Sequence, residues 1–389
     1  MRLFSILLLT VFAWVQSYAQ SSLSKVNFAY KYDPDSEIEI SQKAYIKQDY
    51  IEYNLLLKVN KTYSSIKDYD ISFFSTPSIN ADLTAIPNLH IDTLNINALS
   101  NSYSYQLTFP KEIESEIIVA QVLSKSSGFT YYSYVRPSDD VPFKRFMPGQ
   151  AFKDWLPTGL YTVNYPDNLF AFYYDNDFPP ALPPMPSNSS EPQKAMEIDS
   201  IISINSNQLL LGEKGLYLIQ QDTTSAIAVS FRVEDKYFPK MVRIEDLITP
   251  LRYITTKEEY EALLQVEGDK KKFDQFWLDL TNSPERAKLI IKKYYKRAQY
   301  ANQFFTSYKE GWKTDMGMIY IIYGMPDEVE VTNDGEEWLY KATPQLPSLT
   351  FKFINAQNIF SDKNFVLIRE RKHAANWYRA IDLWRKGRF

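Results

Sequence analysis

Cysteine is absent from all 389 residues. No disulfide can form, no thiol can act as a nucleophile, and no zinc site can be built on thiolates. A lipoprotein anchor, which needs a cysteine at the cleavage point, is closed by the same absence. Histidine is almost as scarce: only His90 and His373 occur, far apart and without neighbours at ligand spacing. The patterns H-E-x-x-H, G-x-S-x-G and G-x-x-x-x-G-K do not occur either. No catalytic residue, cofactor-binding residue or metal ligand is therefore assigned. Net charge is only −4 and no basic block is present, so charge gives no reason to expect nucleic acid. Beyond the first residues, no apolar stretch approaches the length of a transmembrane helix.

What is present is apolar and aromatic. Apolar residues make up 45% of the chain, enough for a packed core, and 29 Tyr and 24 Phe favour strands and half-wet faces. The length suits two or three domains. The start reads as a signal peptide over residues 1–19. Arg2 gives the positive end, Leu3 to Val15 the apolar run, and Ser17-Tyr18-Ala19 the small residues before a cleavage site. Cleavage after Ala19 would leave Gln20 first. This predicts an exported protein, periplasmic or associated with the outer membrane, at most peripheral to it, whose domains rest on packed cores alone.

Residues 20–136 alternate like strands: Val26, Phe28, Tyr30 and Tyr32 on one face, Ile51, Tyr53, Leu55, Leu57 and Val59 on another, then Tyr103, Tyr105, Leu107 and Phe109. A first β-sandwich, immunoglobulin-like in architecture, is predicted. Arg136-Pro137-Ser138-Asp139-Asp140 marks a boundary. A second β-sandwich-like domain follows over 137–242, with a hairpin around Asp222-Thr223-Thr224-Ser225. It contains Phe178-Pro179-Pro180-Ala181-Leu182-Pro183-Pro184-Met185-Pro186, whose prolines favour extended chain. An exposed loop is the expectation here, over a docked segment.

From 243 to 389 the pattern becomes α+β, with a long helix packed on an antiparallel sheet. Thr256-Lys257-Glu258-Glu259 forms a capping box, Asp269 caps a second helix, and Ser283-Pro284-Glu285 starts a long one. Its apolar stripe runs through Ala287, Ile291, Tyr294, Ala298, Ala301, Phe305 and Tyr308, while Lys288, Lys292, Lys293 and Lys296 lie mostly off it. Gly311 is placed just past the helix end with positive φ, and Trp312 packs back on the last turn. Met318 to Tyr323 carries no charge and is predicted to be a central strand. Gly324-Met325-Pro326-Asp327 turns the chain, Asn333-Asp334-Gly335 makes a hairpin, and residues 373–383 close with a helix.

Gly311-Trp312-Lys313-Thr314-Asp315 resembles the name-giving motif of the GWxTD domain family of exported bacterial proteins, known chiefly from Bacteroidota. Phe276-Trp277, Arg297-Ala298-Gln299-Tyr300-Ala301-Asn302 and the Ile-Tyr-Ile-Ile-Tyr-Gly run before Pro326-Asp327-Glu328 are similar to its flanking features. The firm resemblance covers residues 273–340. Where the family often has arginine after the aspartate, this chain has Met316. The resemblance implies an envelope location and no established reaction.

Two chemistries remain to be weighed. Asp33, Asp35, Glu37 and Glu39 alternate and could hold calcium, or simply face water. Asp315, Asp327 and Glu328 could form a carboxylate pair for glycoside hydrolysis, although such residues are also what these turns need. The motif set Gly311, Trp312, Thr314, Asp315, Arg297, Gly324, Pro326, Asp327 and Glu328 is read as structural. Helix rise and strand rise bring Asp327 and Glu328 level with Arg297, which predicts an ion pair between them. The functional expectation is an envelope interaction or assembly protein without catalysis, its partners other envelope proteins. The alternative is a glycan-binding or glycan-processing protein using exposed aromatics and the acidic turn.

Overall fold

The computed structural model describes residues 22–61, 64–86, 90–97, 101–139, 152–163, 169–175, 177–186, 196–204, 207–221, 228–356 and 358–388. The signal-peptide assignment and the turn at Asp222 to Ser225 lie outside these residues. Among them, antiparallel sheets dominate and six α-helices are present, all from Ile244 onward.

The first nine strands are β1 (Ile38–Ile46), β2 (Tyr50–Val59), β3 (Tyr69–Thr76), β4 (Thr84–Ala85), β5 (His90–Asn97), β6 (Ser102–Pro110), β7 (Ile117–Ser124), β8 (Thr130–Val135) and β9 (Ser138–Asp139). They form two sheets, in the orders β5-β6-β2-β1-β9 and β4-β3-β7-β8. Alternation explains the arrangement: Ile51, Tyr53, Leu55 and Leu57 on β2 meet Phe73, Ile118, Ala120 and Val122 from the other sheet in one core. The predicted two-sheet layer is therefore present. The predicted strand through Val26 to Tyr32 is not. Residues Leu23–Lys25 and Ala29–Tyr32 are 3-10 turns. Their buried Leu23, Phe28 and Tyr32 join the C-terminal core, and Phe28 N–H bonds the Val329 carbonyl at 2.9 Å. Alternation misled because three-residue turns can also bury every second aromatic when two cores flank the segment.

The next strands are β10 (Trp155–Pro157), β11 (Gly159–Thr162), β12 (Leu169–Tyr174), β13 (Ser200–Ile204), β14 (Gln208–Leu211), β15 (Gly215–Gln220) and β16 (Val229–Glu234). One sheet runs β10-β16-β15-β12-β13, and β11 pairs β14 in a ribbon. One face of the sheet shares a core with the ribbon through Ala171, Leu209, Leu211, Tyr217 and Phe231. The other face, with Phe172, Tyr174, Leu216 and Leu218, meets Phe178, Tyr308 and Phe360. Burial on both faces is why β12 and β15 read as unbroken apolar runs.

The helices are α1 (Ile244–Ile248), α2 (Lys257–Leu264), α3 (Lys270–Thr281), α4 (Pro284–Phe305), α5 (Asp315–Tyr323) and α6 (Ala374–Arg385). The predicted caps hold. The Thr256 hydroxyl accepts from Glu259 N–H and the Glu259 carboxylate from Thr256 N–H, and Asp269 and Ser283 cap α3 and α4. The last sheet is β17 (Glu328–Val331), β18 (Gly335–Tyr340), β19 (Leu349–Asn355) and β20 (Phe365–Leu367), antiparallel throughout. The long helix reaches this sheet through Phe305, whose ring lies 5.6 Å from Trp338.

Two predictions at the motif fail. Met318 to Tyr323 is not a strand but most of α5, buried from Met316 through Ile322. A short run that is apolar all round carries no period, and burial on all sides suits a core helix equally. The deciding signal is the cap: the Thr314 hydroxyl accepts from Gly317 N–H at 3.0 Å. Nor does Gly311 end the long helix in a left-handed conformation. The helix stops at Phe305, and Gly311–Lys313 is a separate 3-10 turn.

Candidate functional site

The corner between α4 and α5 is built by close backbone approach. A Cβ on Gly311 would stand 2.0 Å from the Ala301 carbonyl oxygen, and one on Gly317 would stand 1.8 Å from the Gly311 oxygen. Ala298 and Ala301, both fully buried, keep the α4 side of this contact thin. Gly311 N–H donates to the Thr306 hydroxyl at 3.0 Å, and Thr314 O–H donates to the Gly311 carbonyl at 2.7 Å. Trp312 is 5% exposed. Its N–H bonds the Asn302 side-chain oxygen at 3.0 Å, and its carbonyl accepts from Tyr253 O–H at 3.0 Å.

Asp315 turns outward from the first turn of α5. It accepts Leu367 N–H at 2.8 Å and grips Arg369 with contacts of 2.5 and 3.2 Å. This fork fixes the guanidinium in one orientation. Arg369 in turn donates to the Pro183 carbonyl at 3.2 Å and the Leu182 carbonyl at 3.1 Å. The proline-rich segment is thus docked, not exposed. Ala181 N–H bonds the Lys313 carbonyl at 2.9 Å, Lys309 Nζ bonds the Pro179 carbonyl at 3.2 Å, and Glu370 N–H bonds the Pro184 carbonyl at 3.1 Å. Loss of water pushes Lys309 down to about 8. Prolines keep the chain extended as expected, but extended chain needs a partner for its carbonyls, and the corner supplies one.

Behind the corner lies a charge cluster that charge counting could not reveal. Arg232 bonds Glu234 at 2.7 Å and Glu310 at 3.1 Å, Lys214 stands 2.9 Å from Glu234, and Lys313 pairs with Glu310 at 3.0 Å and with Asp177. Burial alone would raise Glu310, but the charges of Arg232, Lys313 and Lys214 override it and hold it at about 2. The cluster floors a cleft of about 280 Å³ lined also by Trp312, Arg252, Tyr260 and Pro180. Glu310 therefore contributes stability that is complete above its unfolded value of about 4.3 and is lost as pH falls towards 2. Denaturant unfolding at pH 6 and pH 3 should show Glu310→Gln well below wild type at pH 6, with the gap narrowing at pH 3. A gap independent of pH would remove Glu310 as a charged partner.

Arg297 does not meet Asp327 or Glu328, and no carboxylate among the described residues is within ion-pair distance of it. Its guanidinium donates to the Ile321 and Ile322 carbonyls at 3.0 and 2.8 Å, capping α5. It lies 5.0 Å over the Trp384 ring and against Gly324, whose φ is +89°. The rise estimate placed it at the right level, but α5 is a helix and presents bare carbonyls there. Removal from water lowers Arg297 to about 10. Asp327 instead accepts Lys341 N–H at 2.7 Å, Glu328 pairs with Lys341 at 2.7 Å, and Pro326 is buried in the turn. Arg297→Met strips two buried carbonyls of a charged donor and should cost about 2 kcal/mol in urea unfolding. An unchanged midpoint would mean that the cap contributes nothing.

Of the three acidic candidates for sugar chemistry, Asp315 is thus engaged by Arg369 and Leu367, and Asp327 and Glu328 by Lys341. The alternating acids also part company: Glu37 pairs with Lys61, Glu39 with Lys58, and Asp33 accepts Asp35 N–H. Asn302, Glu310, Arg369 and Arg232 were missed. Asn302 had a signal, being a polar residue on the buried face of α4; Arg369 and Arg232, distant in sequence, had none.

No curated protein matches the chain. Among solved structures, an IgNAR antibody domain C1 is similar at 12% identity, covering 27% of this chain and 95% of that one, with a TM-score of 0.20. No helix among the described residues is long and apolar enough to cross a membrane. Residues 215–386 match the model of the GWxTD domain, a span that begins at β15, ahead of the expected boundary at 243, and takes in the corner, Arg369 and, of the charge cluster, Arg232, Glu234, Glu310 and Lys313 but not Lys214 or Asp177. The chain thus carries a GWxTD domain over residues 215–386.

Proposed function

We propose that this chain is an exported interaction or assembly protein of the cell envelope that holds other chains rather than transforming a substrate. The observation that carries the reading is the use of the motif. Gly311, Trp312 and Thr314 build the corner, and Asp315 aims Arg369 at the backbone of an extended segment. Recognition by main-chain hydrogen bonds is how binding modules hold peptides. The two-sheet N-terminal region, immunoglobulin-like in this reading, fits an adhesive or scaffolding role. The glycan alternative relied on exposed aromatics and the acidic turn: Phe129, Tyr237 and Tyr378 are exposed, but Asp315 is taken up by Arg369 and Asp327 and Glu328 by Lys341. Trp277, Trp312, Trp338, Trp377 and Trp384 are all buried, and Trp155 is half-buried.

The test is affinity capture from envelope extracts under gentle detergent conditions, with cross-linking to fix the contact. A stable protein partner cross-linked to residues of the C-terminal domain is the expected result. Repeated failure to recover one, or a mature chain that does not begin at Gln20 in envelope material, would count against the reading.

A further inference from the structure

The docked segment has a period. Phe178, Ala181 and Pro184 are buried, and the residues between them are exposed or half-exposed. Three residues per turn is the polyproline II repeat, so one edge of that helix faces the body and two face water. Phe178 meets the Tyr308 ring edge-on at 4.9 Å. Ala181 is 7% exposed and packs into the C-terminal core. All five hydrogen bonds described above between the corner and residues 179–184 go to the segment's main chain. Four of those six residues are prolines, which have no N–H, and the Ala181 N–H is the one donor the corner uses.

The groups that hold the segment are themselves held by the body. Asp315 fixes Arg369, and Tyr253 and Asn302 fix the peptide groups of Trp312 beside the Lys313 carbonyl. The receptor side is therefore preformed without its occupant. The occupant is an arm. It leaves the sheet at Tyr174 on β12 and returns at Ser200 on β13, the adjacent antiparallel strand, and Asp175 N–H bonds the Asp199 carboxylate at its base. Such an arm can be lifted from the corner with every strand pairing kept.

From this geometry we infer that the GWxTD corner is a receptor for a polyproline II segment of a partner protein, with a small non-proline residue at its central buried position, and that the arm occupies this receptor in cis until displaced. The inference rests on the interaction reading above and names the partner's chemistry. Specificity follows from the contacts: carbonyls at the prolines for Arg369 and Lys309, one N–H for the Lys313 carbonyl, and a side chain no larger than the Ala181 pocket. A tethered occupant competes at an effective concentration on the order of millimolar, so a free peptide reaches the intact corner poorly.

The test uses the full mature chain and a fluorescein-labelled synthetic peptide with the sequence of residues 178–186, read by fluorescence anisotropy. Two variants free the corner: Ala181→Arg, and a chain with residues 179–185 replaced by an equal length of Gly and Ser. Near-UV circular dichroism confirms that each is folded. Both should bind the peptide at least about 100-fold more tightly than the intact chain does. A peptide with Arg in place of its alanine should lose that binding. If either folded variant binds, the receptor stands. If both are folded and neither binds, the arm is a permanent strap and the inference fails, whatever envelope partner is captured. Peptide binding without any captured partner would instead overturn the proposed function alone. A dimer of the intact chain that disappears in both variants would show the occupant to be a second copy's arm, and would overturn the assignment to a different protein.

Discussion

Gly311→Ala should leave the C-terminal domain largely unfolded under conditions where the wild type is folded. The added methyl has nowhere to go. Its nearest neighbours are the Ala301 carbonyl oxygen at 2.0 Å, the Ala301 carbonyl carbon at 2.7 Å and the Asn302 Cα at 2.8 Å, all backbone atoms near the C-terminal end of α4. A flexible side chain could swing away; a helix backbone cannot. Relief would require the turn at 311–313 to move off α4, which breaks the Trp312 to Asn302 bond and opens the pocket that the indole fills. Overpacking of this kind costs on the order of 3 kcal/mol or more, a large part of the stability of an ordinary domain. Gly159→Ala is the control, because its Cβ would meet only the Tyr161 ring at an ordinary 3.6 Å. Thermal melts followed by near-UV circular dichroism separate the two. A Gly311→Ala protein that melts within a degree or two of wild type would show that the corner relaxes without cost.

The legibility of this fold in its sequence varied with the range of the forces involved. Local signals were readable. The cap at Thr256, the Asp269 cap and the Ser283-Pro284 start all depend on atoms within four residues of each other, and all are where the sequence placed them. Strand alternation on β2 was readable for the same reason. Residues 318–323 were not, because an apolar run buried on every side carries no period to read; only the Thr314 cap distinguished helix from strand. The proline-rich arm shows the limit from the other side. Its extended shape was legible, but its docking depends on Arg369, Lys309 and Lys313, more than a hundred positions away in the sequence. The cluster around Glu310 likewise joins β16 and Lys214, the residue ahead of β15, to the motif turn, and no spacing rule connects them. Of the motif itself, the side-chain acceptor at Thr314 and the turn at Gly324 were legible, whereas the role of Gly311 was misread and the partners of Asp315 and Arg297 were set by the helix that the reading missed.

The tryptophan of the motif should prove as demanding as the glycine before it, for a different reason. Trp312 is tied at both ends of its peptide unit, by Asn302 and by Tyr253, so its backbone stays put when the ring is removed. The ring itself lies edge-on to Tyr253 at 6.2 Å between centroids, with Lys313 Nζ 5.5 Å over its face. Truncation to alanine thus leaves a cavity that the fixed backbone cannot collapse, and strips one wall from beneath the ion pair of Lys313 and Glu310. Burying an indole and then deleting it costs about 3–5 kcal/mol. Trp312→Ala should therefore shift the urea midpoint strongly at an unchanged slope, and Trp312→Phe, which keeps a ring against Tyr253, should shift it much less. The same substitution should loosen the arm, because the Lys313 carbonyl that holds Ala181 is the next peptide along. Limited proteolysis within residues 177–186 would report that loosening before the domain unfolds. If Trp312→Ala melts like wild type while capture of an envelope partner is lost, the ring is a contact surface and not a part of the core.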